Sequence, residues 1–201
     1  MIRARVGRLM WVALGGWLLT FGGCIGGGSP PTRFYVLTAV AADKAGPAAA
    51  SLPVGVRVTL PDYLDRPQIV TRVSGSQLAL AEFDRWASPL GDEFPRVLAE
   101  NLGVLLPSDQ VVVFPWARTA RVDYEVSVDV ARFEGRPGGD CSLVARWSIY
   151  NRDKTVVLAT KKSSLSEAAS GGDYEALAAA QSRLLAALSR EIADGLRAAA
   201  R

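Results

Sequence analysis

The sequence predicts a single α/β domain in which two amphipathic helices pack on a mixed, largely antiparallel sheet. Apolar and polar residues alternate over residues 54–60 and 122–130, which is the period of a half-buried strand. Over residues 90–106 and 177–196 apolar residues recur three and four positions apart, which is the period of a helix with one buried face. Strands and helices in this order are typical of a layered α/β domain.

The N-terminus has the organisation of an export signal for a lipoprotein. Three arginines and no acid occur in the first eight residues, and the apolar run 9–19 follows. Gly22 and Gly23 then precede Cys24, where a lipoprotein signal peptidase needs small residues, although Phe21 stands where such signals usually have leucine. The weaker alternatives are an uncleaved membrane anchor, for which the run falls short of the ~20 residues that span a bilayer, and plain secretion with a free Cys24.

These features divide the chain into a signal peptide over residues 1–23, a flexible tether over 24–32 that begins at lipidated Cys24, and a domain over 33–201. The net charge of +3 comes from the three signal arginines, because the remaining 20 basic and 20 acidic residues cancel. The composition therefore gives no reason to expect nucleic acid as a partner.

Four strands are predicted in the first half of the domain, each from β-forming residues or from period-two alternation. A serine-glycine-serine segment between the third and the fourth suits a tight hairpin. The four strands cover residues 34–38, 54–60, 68–73 and 77–83.

A helix follows between Ser88 and Pro107, and its start has two interpretations. Ser88 with Pro89 makes a good cap, but Pro95 would then lie in the helix interior and remove a backbone hydrogen bond. A start at Asp92 places Pro95 in the first turn, where proline is tolerated, so the later start is favoured.

The second half of the domain is predicted to continue the sheet and to end in a second helix. Residues 111–114 are apolar throughout, as in a central strand that is covered on both faces. Asp173 is positioned to cap the last helix. Between them, an antiparallel meander is predicted from residues 122–130, 143–149 and 156–162.

Sequence motifs for catalysis or for a bound cofactor are not found. The chain has no histidine, which removes the commonest general base and metal ligand, and it has neither a GxSxG elbow nor a GxxxxGK[ST] phosphate loop. Asp123, Glu125 and Asp129 could in principle hold calcium, but a solvated face paired with neighbouring Arg and Lys is the better interpretation. We therefore expect a protein that is not an enzyme and that needs no metal or cofactor.

Residues 60–72, LPDYLDRPQIVTR, stand out because connecting loops rarely contain Tyr, Leu and Arg together. One interpretation is a turn in which Tyr63 and Leu64 close the edge of the core. The other is a partner-binding surface, since Tyr and Arg are favoured in binding hot spots. The candidate partner-binding residues are Tyr63, Leu64, Arg66, Gln68 and Arg72.

The same segment carries a family resemblance. Together with Trp86-Ala87-Ser88-Pro89-Leu90, the helix ending Glu100-Asn101-Leu102 and the Asp173-Tyr174 helix start, it resembles the PqiC/YmbA lipoproteins, the ABC-type transport auxiliary lipoprotein component. The resemblance extends from Phe34 to the last helix. Its most specific part is Arg66-Pro67-Gln68-Ile69-Val70.

The resemblance implies a lipoprotein on the periplasmic face of the outer membrane, working with an MCE-domain protein of a Pqi-type system in lipid transport and envelope integrity. Ile25 fits outer-membrane sorting, because retention in the inner membrane usually requires Asp at that position. Phospholipid and further copies of the same chain are additional candidate partners. The alternative function is a periplasmic lipid carrier with an apolar pocket between its helices and its sheet.

Overall fold

Two sheets and two helices make up the part of the chain that the structure, a computed structural model, describes: residues 29–41, 52–106, 108 and 110–201. All of the predicted elements are present, but five of the strands begin or end three to six residues from their expected bounds. The elements are β1 Arg33–Tyr35, β2 Val54–Thr59, β3 Gln68–Arg72, β4 Leu78–Trp86, α1 Leu90–Leu105, β5 Val111–Val113, β6 Tyr124–Glu134, β7 Asp140–Asn151, β8 Val157–Ala168 and α2 Tyr174–Ala199.

The larger sheet has the strand order β5-β2-β6-β7-β8. β2 lies parallel to both β5 and β6, whereas β6, β7 and β8 form the predicted antiparallel meander. The alternation in β6 places Val126, Val128 and Val130 in the core, each at most 2% exposed. On the opposite face Asp129 lies across from Arg146, so these two opposite charges meet in the ladder, whereas Arg146 and Lys162 on the next strand are like charges.

The smaller sheet has the order β1-β4-β3, with β1 parallel and β3 antiparallel to β4. The single predicted sheet is therefore divided into two, although the α/β class, the two helices and the single domain are confirmed. Within the described ranges, the strand pairing between the two sheets is reduced to one isolated bridge, from Thr71 to Gly135.

Each helix packs on a different part of the larger sheet, and the two helices pack on each other. α1 covers β2 and β5, and α2 covers β7 and β8. Asp173 caps α2 as predicted, because its side chain accepts a hydrogen bond from the backbone N–H of Ala176 at 2.8 Å. Near the other end of α2, a Cβ on Gly195 would lie 3.0 Å from the Trp147 ring, so glycine permits close approach to β7.

Two details of the prediction were wrong. The helix α1 begins at Leu90 rather than at Asp92, so Pro95 lies inside it; the backbone N–H groups of Asp92 and Glu93 both bond to the carbonyl of Pro89. The strand β5 is at the edge of its sheet instead of the centre, and its three valines are only half-buried. Periodicity cannot distinguish a short apolar edge strand from a central strand.

Residues 32–201 form one compact unit, and its buried core extends from Leu37 to Leu196. None of the helices in the described ranges is long and apolar enough to cross a bilayer. The predicted signal peptide, Cys24 and most of the tether lie outside the described residues.

Candidate functional site

Residues 60–67 form the connection from β2 to β3 and begin with a tight turn. The backbone N–H of Leu64 bonds to the carbonyl of Pro61 at 2.9 Å, and that of Asp65 bonds to the carbonyl of Asp62 at 3.2 Å. The turn directs Leu64 into the core, where it is 2% exposed. Leu64 therefore contacts the protein interior and is not accessible to a partner in this conformation.

Tyr63 and Arg72 meet on one buried carboxylate, that of Glu134 at the end of β6. The Tyr63 hydroxyl donates to Oε2 at 2.8 Å, and Arg72 donates from Nε to Oε1 at 2.7 Å. The backbone N–H of Phe133 also donates to Oε2, at 3.0 Å. Burial, followed by the hydrogen bond to Glu134, raises the pKa of Tyr63 to about 12.

This Glu134 cluster lies where the two sheets meet. The backbone N–H of Arg72 bonds to the carbonyl of Gly135 at 3.0 Å, beside the bridge between Thr71 and Gly135. A buried carboxylate with several donors is well compensated, whereas the same carboxylate without them is costly. The contacts of Tyr63 and Leu64 are those of the core-closing turn, one of the two interpretations of the segment, and Arg72 joins Tyr63 on the same carboxylate.

Arg66 has a different environment, because it lines a surface groove of about 440 Å³. The backbone N–H of Trp86 bonds to the carbonyl of Pro67 at 2.7 Å, which brings the 60–72 segment against the end of β4. Two of the four sequence segments that carry the family resemblance, residues 60–72 and 86–90, thus form the groove together. Its lining residues are Phe34, Asp65, Arg66, Pro67, Arg85, Trp86, Ala87, Ser88 and Pro89.

Two arginines give this groove its charge. The Nε atoms of Arg66 and Arg85 are both shielded from solvent and have no hydrogen-bond partner among the described residues. Asp65 is the only acid among the lining residues. Its carboxylate lies near the start of α1, where a Cβ on Gly91 would be 3.4 Å from Oδ1, and a negative charge there is favourable.

Gln68 lies beside Arg85 in the ladder between β3 and β4 and is half-buried. Of the five candidate partner-binding residues, the structure brings Tyr63 and Arg72 together on Glu134 and places Leu64 in the core. Arg66 lines the groove, and Gln68 lies beside the groove residue Arg85. Arg66 and Gln68 are the half-buried candidates that lie outside the Glu134 cluster.

The strand β1 is fixed beside the groove by a charged contact on its other face. Arg33 donates from Nε to Asp84 Oδ1 at 2.8 Å and from Nη2 to Oδ2 at 3.0 Å, and the Tyr35 hydroxyl donates to Oδ1 at 2.7 Å. Burial alone would raise the pKa of Asp84, but these donors outweigh it and lower the pKa. Phe34, between Arg33 and Tyr35, is 64% exposed at the groove.

Two of the three acids considered as calcium ligands are held in ion pairs, namely Glu125 in β6 and Asp123 just before it. Lys154 Nζ lies 2.6 Å and Arg57 Nε 3.3 Å from the carboxylate of Glu125, and Arg121 binds Asp123. No group of three or more acidic or cysteine side chains that could hold a metal ion occurs within the described residues.

Cys141 is a small residue of the core. Its side chain is fully buried in β7, and burial raises the pKa of its thiol to about 11.

Sequence reasoning did not identify Glu134, Phe34 or Arg85 as parts of this region. The sequence did contain a sign that the strand pattern changes near Glu134. The buried apolar positions of β6 are even-numbered up to Val130, whereas the next one, Phe133, is odd-numbered. That change corresponds to a β-bulge between Val130 and Arg132. Phe34 and Arg85 are neighbours only through the pairing of β1 with β4, which no local pattern shows.

Comparison with known proteins links the sequence to a family of transport lipoproteins. Residues 35–193 match the family described as the ABC-type transport auxiliary lipoprotein component. The intermembrane transport lipoproteins PqiC of Escherichia coli (strain K12) and of Shigella flexneri are both 28% identical to the chain over 100 residues. This match covers 50% of the chain and 52% of each relative, so the chain spans about half the length of the curated relatives that it matches.

Two solved structures share the fold. A crystal structure of an uncharacterised protein matches with a TM-score of 0.67 and 23% identity, covering 83% of this chain and 99% of the other. Protein XCC0632 from Xanthomonas campestris matches with a TM-score of 0.64 and 20% identity, covering 80% of this chain and 92% of the other. The family match covers most of the chain, and we conclude that the chain belongs to the family of ABC-type transport auxiliary lipoprotein components.

Proposed function

We propose that the protein is a lipid-anchored, non-catalytic subunit of an MCE-type intermembrane lipid transport system at the periplasmic face of the outer membrane. Family membership over residues 35–193 is the observation that carries this proposal. The relatives named PqiC are intermembrane transport lipoproteins, and the sequence before the domain has the organisation of a lipoprotein signal.

In this proposal Cys24 is the anchor. A cysteine that carries a diacylglycerol and an N-acyl chain holds a protein firmly, because each buried CH₂ contributes about 0.8 kcal/mol. The domain would then lie close to the bilayer at its N-terminal strand, β1. Its remaining surface would be free to bind the periplasmic MCE-domain protein.

The docking surface is proposed to include the 60–72 segment, with Arg66 and Gln68 as direct contacts. Tyr63, Leu64 and Arg72 would act through the Glu134 cluster and the core, by fixing the conformation of the segment. Arginine beside tryptophan in a concave surface is a typical composition for a binding hot spot. The Glu134 cluster would supply the rigidity that such a surface needs.

Replacing Cys24 by Ala should release the protein from the membrane fraction without unfolding the domain. The reason is that the buried core begins at Leu37, beyond the anchor. The measurement is fractionation of cells that express either form, with circular dichroism of the released protein. A Cys24→Ala protein that stays membrane-bound would remove the anchor from the proposal.

Replacing Arg66 and Gln68 together by Ala should weaken binding to the periplasmic part of the MCE-domain protein from the same organism by tenfold or more. Both side chains are partly exposed, so little stability should be lost. The measurement is a pull-down with purified proteins, followed by a titration to obtain the Kd.

The matched control replaces the exposed residues Gln77 and Arg118 by Ala, which removes the same two side-chain types elsewhere on the domain. Normal binding by the control and weak binding by the Arg66/Gln68 variant would support docking at the segment. Equal binding by both variants would exclude these contacts, and no binding by wild type would count against the MCE partner itself.

A further inference from the structure

We propose that the groove lined by Arg66 and Arg85 binds the phosphate of a membrane glycerophospholipid, with the start of the acyl chains on the apolar side of the groove. This inference rests on the proposed function, because it assumes a domain that is anchored at a phospholipid surface. It adds a ligand class and a binding site to that function.

The two guanidinium groups are the first argument. Arginine is favoured for phosphate because its planar group presents several donors in a fixed geometry. Nε of Arg66 and Nε of Arg85 are shielded from solvent and lack a partner among the described residues, which is costly for a charged donor. Because a solvent-shielded Nε cannot be reached from the groove unless its side chain shifts, an anion there would first meet the other N–H groups of the two guanidinium groups, and a small shift would then bring it to both Nε donors.

The remaining charge in the groove does not oppose an anion. Asp65 is the only acidic residue in the lining, against two arginines. Its Oδ1 lies close to Gly91 in the first turn of α1, so the helix N-terminus partly balances its charge. The lining as a whole carries an excess of one positive charge.

The apolar lining is the second argument, and it distinguishes a lipid from free phosphate. Phe34, Pro67, Trp86 and Pro89 contribute carbon surface beside the arginines. Phe34 is 64% exposed, and the next residue but one, Val36, is 48% exposed. A cavity of about 440 Å³ is large enough for a phosphate with the first part of a lipid, and it has the mixed composition of small-molecule sites.

The position of the groove along the chain is the third argument. Eight residues separate Cys24 from Arg33, and Phe34 already lines the groove. Extended chain spans at most about 3.3–3.6 Å per residue, so the start of the domain lies within roughly 30 Å of a lipidated Cys24. The groove is therefore within reach of lipid headgroups at the surface that the anchor occupies.

The test uses residues 29–201, which contain the complete described core, and titrates them with dihexanoyl phosphatidylglycerol below its micelle concentration. Binding is followed by calorimetry and by tryptophan fluorescence, since Trp86 lines the groove. Inorganic phosphate and glycerol phosphate are titrated in parallel to separate a lipid from free phosphate. The variant is Arg66→Gln with Arg85→Gln, and its matched control is Arg118→Gln with Arg152→Gln, two exposed arginines outside the groove.

We expect saturable binding of the lipid by wild type and by the control, at least tenfold weaker binding by the groove variant, and weaker binding of glycerol phosphate than of the lipid. Equal lipid binding by the groove variant would overturn the proposal. An equal loss of lipid binding in the control variant would also overturn the proposal. It would indicate a general attraction between charges, of the kind that salt at roughly 0.15 M screens, and not a specific site. Binding of glycerol phosphate as tight as that of the lipid would also overturn it, since the apolar side would then contribute nothing.

The same variants are assayed for binding to the MCE-domain protein, so that the two proposals can fail separately. Wild type that binds the partner but no lipid would overturn the groove proposal and leave the proposed function intact. Wild type that binds lipid but not the MCE-domain protein would support the groove proposal and count against the proposed function. A groove variant that loses the partner and keeps the lipid would identify the groove as a protein-binding site, which also overturns the lipid proposal.

Discussion

Replacing Glu134 by Ala should lower the free energy of unfolding by about 3 kcal/mol, since breaking a buried ion pair by removing one partner typically costs about 3–5 kcal/mol. The side chain of Glu134 is fully buried, whereas that of Arg72 is 24% exposed, so water can solvate part of the arginine and the lower value applies. The Tyr63 hydroxyl would lose its acceptor as well. The measurement is urea denaturation of residues 29–201, with unfolding monitored by circular dichroism.

Two further variants make this test specific. Glu134→Gln keeps the shape and one acceptor oxygen and should lose less stability than Glu134→Ala. Glu100→Ala removes a carboxylate that is 46% exposed and pairs with Arg96 within α1, so its effect should stay below about 1 kcal/mol. If Glu134→Ala unfolded at the same urea concentration as Glu100→Ala, the Glu134 cluster would not be a major source of stability.

Replacing Phe94 by Ala should lower the free energy of unfolding by about 3–5 kcal/mol, the usual range for removal of a buried phenylalanine. Phe94 on α1 is fully buried and meets the ring of Phe133 edge to face, with 5.0 Å between the ring centroids. The substitution would leave a cavity between α1 and β6 and remove this aromatic contact. Domains of this size have a total stability of only about 5–15 kcal/mol, so much of the protein could be unfolded at 37 °C.

Val104→Ala is the control for Phe94→Ala on the same helix. Val104 is 46% exposed, and substitutions at such positions usually change stability by about 0.5 kcal/mol or less. Thermal unfolding of the two variants beside wild type is the measurement. Equal melting temperatures for Phe94→Ala and wild type would show that α1 does not depend on this contact for its packing.

The elements with strong local patterns could be predicted from the sequence. The alternation in β6, the hairpin pair β3 and β4 and the cap at Asp173 each depend on neighbouring residues, and each is present in the structure. The family resemblance was confirmed by the match over residues 35–193.

The features that could not be predicted depend on distant contacts. The separation into two sheets follows from the pairing of β1 with β4, two strands about 50 residues apart in the chain. The edge position of β5 depends on its partner β2 in the same way. In the 60–72 segment, residue types alone could not separate Tyr63 and Arg72, which bind Glu134, from Arg66, which lines the groove.

The way β1 is attached to the domain has a mechanical consequence. In the proposed function, any force between membrane and partner enters the domain through β1, and a pull along this strand loads its parallel ladder with β4 in shear, so that several hydrogen bonds must break together. In the chain just after β1, the backbone N–H of Leu37 donates to the Glu93 side chain on α1, and that of Thr38 donates to the Ser182 side chain on α2. Both helices would therefore share the load, and the domain would stay folded when it is pulled through β1.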